Sequence, residues 1–234
     1  MKDLELTILL PCLNEERTIE KCILEAKRFL DDFKINGEIL VADNGSCDNS
    51  LKIIKNLKVR YIKVKEKGYG NVLRKGFKNS LGKYIIMADS DFSYDLYNLK
   101  DFLDKLREGY DLVMGNRFKG GIQKGAMPFL NRYIGNPLLS FLGRLCFPCP
   151  IRDFHSGLRA FRKDKIVNLK LKSEGMELAS EIVIKSVINN YKMTEIPIIL
   201  RNNNINRIPH LKPFKDGLRH LKLIYKLKRD TKLN

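Results

Sequence analysis

Ile85-Ile86-Met87-Ala88-Asp89-Ser90-Asp91-Phe92-Ser93-Tyr94-Asp95 is the stretch on which the fold turns. Its apolar start reads as the end of a buried strand. Two carboxylates follow at alternate positions, where the backbone must leave the sheet. Left alone in a crevice, Asp89 and Asp91 would repel each other. A hard divalent cation satisfies both, because magnesium typically takes one or two protein carboxylates and completes its shell with water and substrate phosphate. The same residues also suit an Asp-rich turn that caps the next helix.

Outward from this stretch the pattern repeats. Leu6–Leu10 is a short apolar run, and Glu38–Ala42, Val59–Val64 and Tyr84–Ala88 read as further short strands. Helical periodicity separates them: Ile19, Ile23, Ala26 and Leu30 in Glu15–Phe33, then Leu51, Ile54 and Leu57, then a helix opened by Gly68-Tyr69-Gly70. Strand and helix alternating at this spacing predict βαβ units and a mostly parallel sheet covered on both faces. In such sheets ligands bind beyond the carboxyl ends of the strands. Asn14, Asp43 and Asp89 all fall there, so three polar turns should converge on one crevice.

Further on, the pattern predicts a helix over Leu96–Arg107 and a strand over Tyr110–Gly115 that ends in Asn116-Arg117. A glycine-rich mobile loop is expected over Phe118–Met127. Pro128–Leu145 reads as a helix with an apolar face, and Asp153–Phe161 as a turn running into a strand. Glu177–Asn190 reads as a helix carrying Glu181, and Met193–Leu200 as a last strand closed by Arg201. One α/β domain over 1–205 with a C-terminal extension over 206–234 accounts for the chain.

Composition narrows the classes. Hydrophobic residues make up 44%, which fits a globular protein. Lys2, Asp3 and Glu5 interrupt any apolar leader, so no signal peptide is expected, and no run of 18 apolar residues occurs. Five cysteines without a framework predict reduced thiols and a cytoplasmic setting. The formal net charge of +17 implies an anionic partner: nucleic acid, phosphate-bearing small molecules or an acidic membrane. Residues 201–234 hold ten Lys or Arg against two Asp. On a helical wheel Phe214, Leu218, Leu221, Ile224 and Tyr225 share one side, with a basic stripe beside them. A cationic amphipathic helix of this kind suits an anionic membrane surface, peripheral on its inner face. A terminal helix packed on the domain is the alternative. Because the basic residues concentrate at this end while the crevice is acidic, a nucleic-acid-binding module is the weaker reading and no nucleic acid is expected as partner.

Ordered motifs then resemble the family 2 glycosyltransferases of the GT-A fold, more narrowly the polyprenyl-phosphate (dolichyl-phosphate) hexose synthases. They are Leu10-Pro11-Cys12-Leu13-Asn14-Glu15, Ala42-Asp43-Asn44-Gly45-Ser46, Gly68-Tyr69-Gly70 with Gly76, Asp89-Ser90-Asp91, Gly115-Asn116-Arg117, and Asp153 through Ser156-Gly157-Leu158-Arg159. The resemblance implies that Pro11, Asn14, Glu15 and Asp43 line the nucleotide of a sugar donor of GDP-mannose or UDP-glucose type, with Gly70 near its phosphates. It implies that Asp89 and Asp91 hold Mg²⁺ or Mn²⁺ on the diphosphate. Arg117 and Arg132 resemble acceptor-phosphate contacts, and Arg201 or Arg207 the late basic residue that closes over the diphosphate. Asn44 departs from the pattern, which commonly has a second Asp. Transfer to a lipid phosphate, inverting at the sugar, needs no strong general base, because a phosphate monoester is largely dianionic at neutral pH. A hydroxyl acceptor would need one, and Asp153 and Glu181 are the candidates.

Overall fold

The computed structural model describes residues 4–203 and 213–232, without the side chains of Pro213, Phe214 and Lys232. The expected boundary at 205/206 and Arg207 lie outside the described residues. Seven strands form one sheet: β1 (Leu6–Cys12), β2 (Gly37–Asp43), β3 (Arg60–Lys63), β4 (Tyr84–Met87), β5 (Leu112–Asn116), β6 (Arg159–Arg162) and β7 (Met193–Pro197). Their order is β3-β2-β1-β4-β6-β5-β7. Every pairing is parallel except those of β6, which runs against β4 and β5. Leu6 lies opposite Gly37 and Tyr84, and Met87 opposite Arg159.

Alternation along each strand feeds two cores. Leu6, Ile8 and Leu10 of β1, with Ile39, Val41, Ile86 and Val113, meet α1 (Ile19–Asp32), α2 (Ser50–Asn56) and α4 (Lys100–Arg107). Leu9, with Leu40, Ile85, Met87 and Met114, meets α3 (Tyr69–Asn79), α7 (Lys163–Asn168) and α8 (Leu178–Ile188) on the other face. Both faces of the central strands β1 and β4 are buried, so these read as nearly unbroken apolar runs. All five cysteines are free thiols.

Three segments differ from the sequence reading. Helix α1 begins at Ile19 rather than Glu15, because Glu15 and Glu16 donate their N–H groups to Ser50 Oγ (2.8 Å) and Asp48 Oδ2 (3.0 Å). The loop expected from Phe118 contains a short helix, α5 (Arg117–Gly120), and Ile122 then bridges Leu200. The single helix expected over Pro128–Leu145 is a π-turn (Asn131–Gly135) followed by α6 (Asn136–Cys146). Pro137 has no N–H for an α-helical bond back to Tyr133, and Asn136 N–H bonds to Asn131 O, five residues back. The apolar face of this segment points outward: Phe129, Leu145 and Leu130 are 70%, 68% and 60% exposed.

Helix α9 (Pro213–Lys232) packs on α6 and α8. Its seated side is Asp216, His220 and Ile224, all buried, with Leu227 against the second core. The wheel placed Ile224 with Leu218, Leu221 and Tyr225, but these three remain exposed. The spacing 216, 220, 224, 227 explains the difference: a helix docks along i, i+4 rows, and two polar residues in this row hydrogen-bond or pair inside the protein.

Asn44 shows how the sheet edge is tied. Its Nδ2 donates to Val64 O (3.1 Å) and Glu66 O (2.9 Å), while its Oδ1 accepts from Gly68 N–H (2.9 Å). Aspartate at this position has no proton to give the two carbonyls. Asn44→Asp should therefore lower stability by about 1–3 kcal/mol, read as an earlier urea midpoint at unchanged slope.

Candidate active site

Three turns leave the carboxyl ends of β1, β2 and β4 and are sewn together. Asn14 (φ 57°) donates its backbone N–H to Ser46 Oγ (2.9 Å), and its Oδ1 accepts from Cys47 N–H (2.8 Å). Asp43, fully buried, accepts from Gly45 N–H (3.0 Å) and Ser46 N–H (3.2 Å) and so folds the chain away from β2. Ser90 Oγ donates to Pro11 O (2.5 Å), joining the β4 turn to β1. Glu15 is buried and receives Thr18 Oγ1 (3.0 Å). The sequence reading brought Pro11, Asn14, Glu15, Asp43 and Asp89 to one edge, and the structure places them there.

Asp89 is set by a residue on each side. Tyr69 Oη donates to its Oδ1 (2.9 Å). Its Oδ2 lies so close to Gly157 that a Cβ there would stand 1.9 Å away, so only glycine admits the carboxylate. Asp91 Oδ1 caps its own turn from Ser93 N–H (3.0 Å), and Asp91 O accepts from Asn203 Nδ2 (2.9 Å). Burial, reinforced by Asp89, raises the Tyr69 phenol, which stays a proton donor to that carboxylate.

Beside this pair sits a buried ion pair. Arg117 Nε and Nη2 reach the two oxygens of Asp153 at 2.8 and 2.7 Å, and Arg117 N–H adds a third bond (3.1 Å). Burial alone would depress the guanidinium, but Tyr94, Asp153 and Asp89 outweigh it and hold Arg117 firmly charged. Such a pair is indispensable once present: removing one partner strands a buried charge at about 3–5 kcal/mol. Tyr94 Oη accepts from Gly157 N–H (2.8 Å), its phenol pushed up to about 12 mainly by burial. Arg159, 1% exposed, donates from Nε to Ser156 O (2.6 Å), and its buried Nη1 has no hydrogen-bond partner among the described residues.

Several expected site residues have other partners. Glu181 is 2% exposed and accepts from Lys172 N–H (2.9 Å), Ser173 N–H (2.7 Å) and Lys185 Nζ (2.7 Å). Burial opposes its ionisation, but those donors prevail and lower its pKa. Asp153 spends both oxygens on Arg117. The two carboxylates expected as general-base candidates are thus both paired in the structure, Asp153 with Arg117 and Glu181 with Lys185 and backbone N–H groups. Gly70, expected near the donor phosphates, packs against the 173–174 segment. Its N–H donates to Glu174 O (2.8 Å) and an added Cβ would meet Ser173 O at 2.3 Å, so this glycine serves chain-on-chain packing. Arg201 lies by the Asp91 turn, over the Phe92 ring, yet its guanidinium pairs with Glu25 (2.9 Å) and Asp95 (2.7 Å). Arg132 is partly exposed on the π-turn, stacked on Tyr133, and shares no hydrogen bond with the Arg117–Asp153 pair among the described residues. Tyr69, Tyr94 and Arg159 were missed as site residues. Tyr69 stood inside a quoted motif, where the flanking glycines drew the reading to the backbone.

The edge offers two hard carboxylates and, among the described residues, no cluster of three or more His, Cys, Asp or Glu. That donor set fits Mg²⁺ or Mn²⁺ completed by ligand phosphate oxygens, not an all-protein cage. A family model, "Glycosyl transferase family 2", matches residues 7–169, from β1 to just past α7. The chain belongs to glycosyltransferase family 2. It is a transferase domain, and relatives agree with that. A low-salt glycan biosynthesis hexosyltransferase (Agl6) of Haloferax volcanii is 36% identical over 222 residues, 94% of this chain and 52% of that protein. A dolichyl-phosphate hexose transferase of the same organism is 27% identical over 84% of this chain and 83% of its own length. A dolichol-phosphate mannosyltransferase of Pyrococcus furiosus is 26% identical over 83% of this chain. The chain spans about half the length of the first and 56% of the last. Among solved structures, glucosyl-3-phosphoglycerate synthase from Mycobacterium tuberculosis, in complex with Mn²⁺, UDP and glucosyl-3-phosphoglycerate, superposes with a TM-score of 0.72. It is 18% identical and covers 96% of this chain and 80% of that one, a likeness of fold.

Proposed function

We propose that this family 2 glycosyltransferase moves a hexose from a nucleotide sugar to a polyprenyl phosphate, with inversion. The observation that carries this reading is the state of the carboxylates. Asp153 and Glu181, the two candidates for a base, are buried and consumed by Arg117, Lys185 and backbone donors. An acceptor that arrives already ionised is what such a site suits. A phosphate oxygen would attack the anomeric carbon while the bond from that carbon to the diphosphate breaks, and the nucleoside diphosphate leaves. A dication on Asp89 and Asp91 would supply Lewis-acid neutralisation of that leaving group. Tyr69 and Gly157 fix Asp89, and Arg117, locked by Asp153, presents positive charge toward the same edge. Pro11, Asn14 and Asp43 frame the nucleotide. The names of the archaeal relatives support the dolichyl-phosphate class of acceptor, and the UDP–Mn²⁺ complex of the structural neighbour supports a nucleotide donor and a divalent ion.

The acceptor class implies a lipid surface. No helix among the described residues is long and apolar enough to cross a membrane. Instead, Phe129 just before the π-turn, Tyr133 within it, and Phe141 and Leu145 of α6 stand exposed, and α9, which contacts both elements, exposes Leu218 and Tyr225. Exposed Lys215, Lys222, Lys226 and Arg229 accompany them. Each apolar side chain would gain up to about 1.5–3 kcal/mol on entering lipid. Each cation adds about 1 kcal/mol near an anionic leaflet. This face suits peripheral attachment to the cytoplasmic side of an anionic membrane.

Incubation with a panel of labelled nucleotide sugars, polyprenyl phosphate and Mg²⁺ or Mn²⁺, followed by lipid extraction, should yield one lipid-linked hexose of inverted anomeric configuration. Retained configuration, or transfer only to hydroxyl acceptors, contradicts the reading. On vesicles containing phosphatidylglycerol, the protein should float with the lipid, and Phe129→Ser with Leu145→Ser should weaken binding by about ten-fold or more. Equal flotation of wild type and variant removes the membrane face.

A further inference from the structure

The buried side of α9 is polar where an anchoring helix needs only apolar residues. His220, 4% exposed, bonds through Nδ1 to Ser180 Oγ of α8 (2.8 Å), and Ser180 Oγ bonds to His155 Nε2 (3.3 Å). The two imidazoles also meet edge to face, with centroids 4.7 Å apart. His155 lies in the short loop that enters β6. On one side of it is Asp153, which locks Arg117; on the other are Ser156, whose carbonyl holds Arg159, and Gly157, which abuts Asp89. A continuous chain of contacts therefore runs from α9 to both charged groups of the catalytic edge.

We infer that His220 and Ser180 are positioning residues: through His155 they hold the 153–157 loop, so that the seating of α9 and the competence of the transfer site are one structural state. This rests on the proposed site, because the loop has catalytic meaning only if Asp89 and Arg117 act there.

The chain is uncharged. Burial drives His155 well below its usual pKa, helped by His220, Arg117 and Arg159, and burial takes His220 to about 4 against the opposing pull of Glu177 and Asp216. Both rings are neutral at physiological pH. His155 Nδ1 is buried without a hydrogen-bond partner among the described residues. One ring donates to Ser180 Oγ and the hydroxyl donates to the other, so Ser180 bridges the two neutral imidazoles. The chain transmits position.

The test uses the full chain with His220→Leu, His220→Asn and Ser180→Ala. Asparagine returns a polar atom near the place of Nδ1, and leucine does not. His220→Leu should lower kcat about ten-fold with the donor KM nearly unchanged, and His220→Asn should recover most of it. In ¹H–¹⁵N spectra the Gly157 amide and the Arg117 Nε–H should shift in His220→Leu and Ser180→Ala and return toward wild type in His220→Asn. Unmoved Gly157 and Arg117 signals in those variants, or equal losses for leucine and asparagine, overturn the inference. Should His220→Leu fail to fold, Ser180→Ala, which removes a single buried oxygen, decides the matter. The spectra do not depend on turnover, so a wild type inactive with every donor would defeat the proposed reaction and leave this coupling to stand or fall alone.

Discussion

One strand running against its neighbours decides where chemistry can collect. In a parallel sheet the carboxyl ends of the strands share an edge, and each contributes the turn that follows it. β6 lies between β4 and β5 in the opposite sense, so it brings to that edge the loop that precedes it. Met87 and Arg159 are paired in register. Two residues beyond each, outward along the edge, stand Asp89 and Gly157, in contact. The packing of an acidic turn against a glycine from a distant loop is the constraint on which the rest of the site depends.

That constraint also organises charge. The sequence carries a net +17, yet the edge itself concentrates carboxylates at Asp43, Asp89, Asp91 and Asp153. Those that would otherwise be costly to bury are each given donors: backbone N–H groups for Asp43, a phenol for Asp89, a guanidinium for Asp153. The surplus of positive charge lies elsewhere, much of it on α9 beside an exposed apolar surface.

The βαβ order and the three converging turns were legible because strands buried on both faces leave unbroken apolar runs and because Asn14, Asp43 and Asp89 follow those runs directly. What failed to show were relations across long separations. Asp153 looks like a free base in one dimension, and only the fold reveals Arg117 against it, 36 residues away. Gly70 resembles a phosphate-loop glycine until Ser173 and Glu174 are seen pressed on it. The apolar face of the Pro128–Leu145 segment has a periodicity that a buried helix would share, so sequence could not tell core from exposed surface. Likewise the wheel for α9 grouped residues correctly by angle but could not know which side met the protein. Tyr69 and Arg159 act through single side-chain atoms, for which no periodic signal exists.

The account stands on Asp89 and Asp91 sharing a cation with a nucleoside diphosphate. Calorimetric titration of Mn²⁺ into the protein with UDP or GDP present tests this most directly. Wild type should bind one Mn²⁺ per chain, with Asp89→Asn and Asp91→Asn each at least about 100-fold weaker, since every lost anionic ligand forfeits a large part of the attraction. Undiminished Mn²⁺ binding in both variants would contradict it.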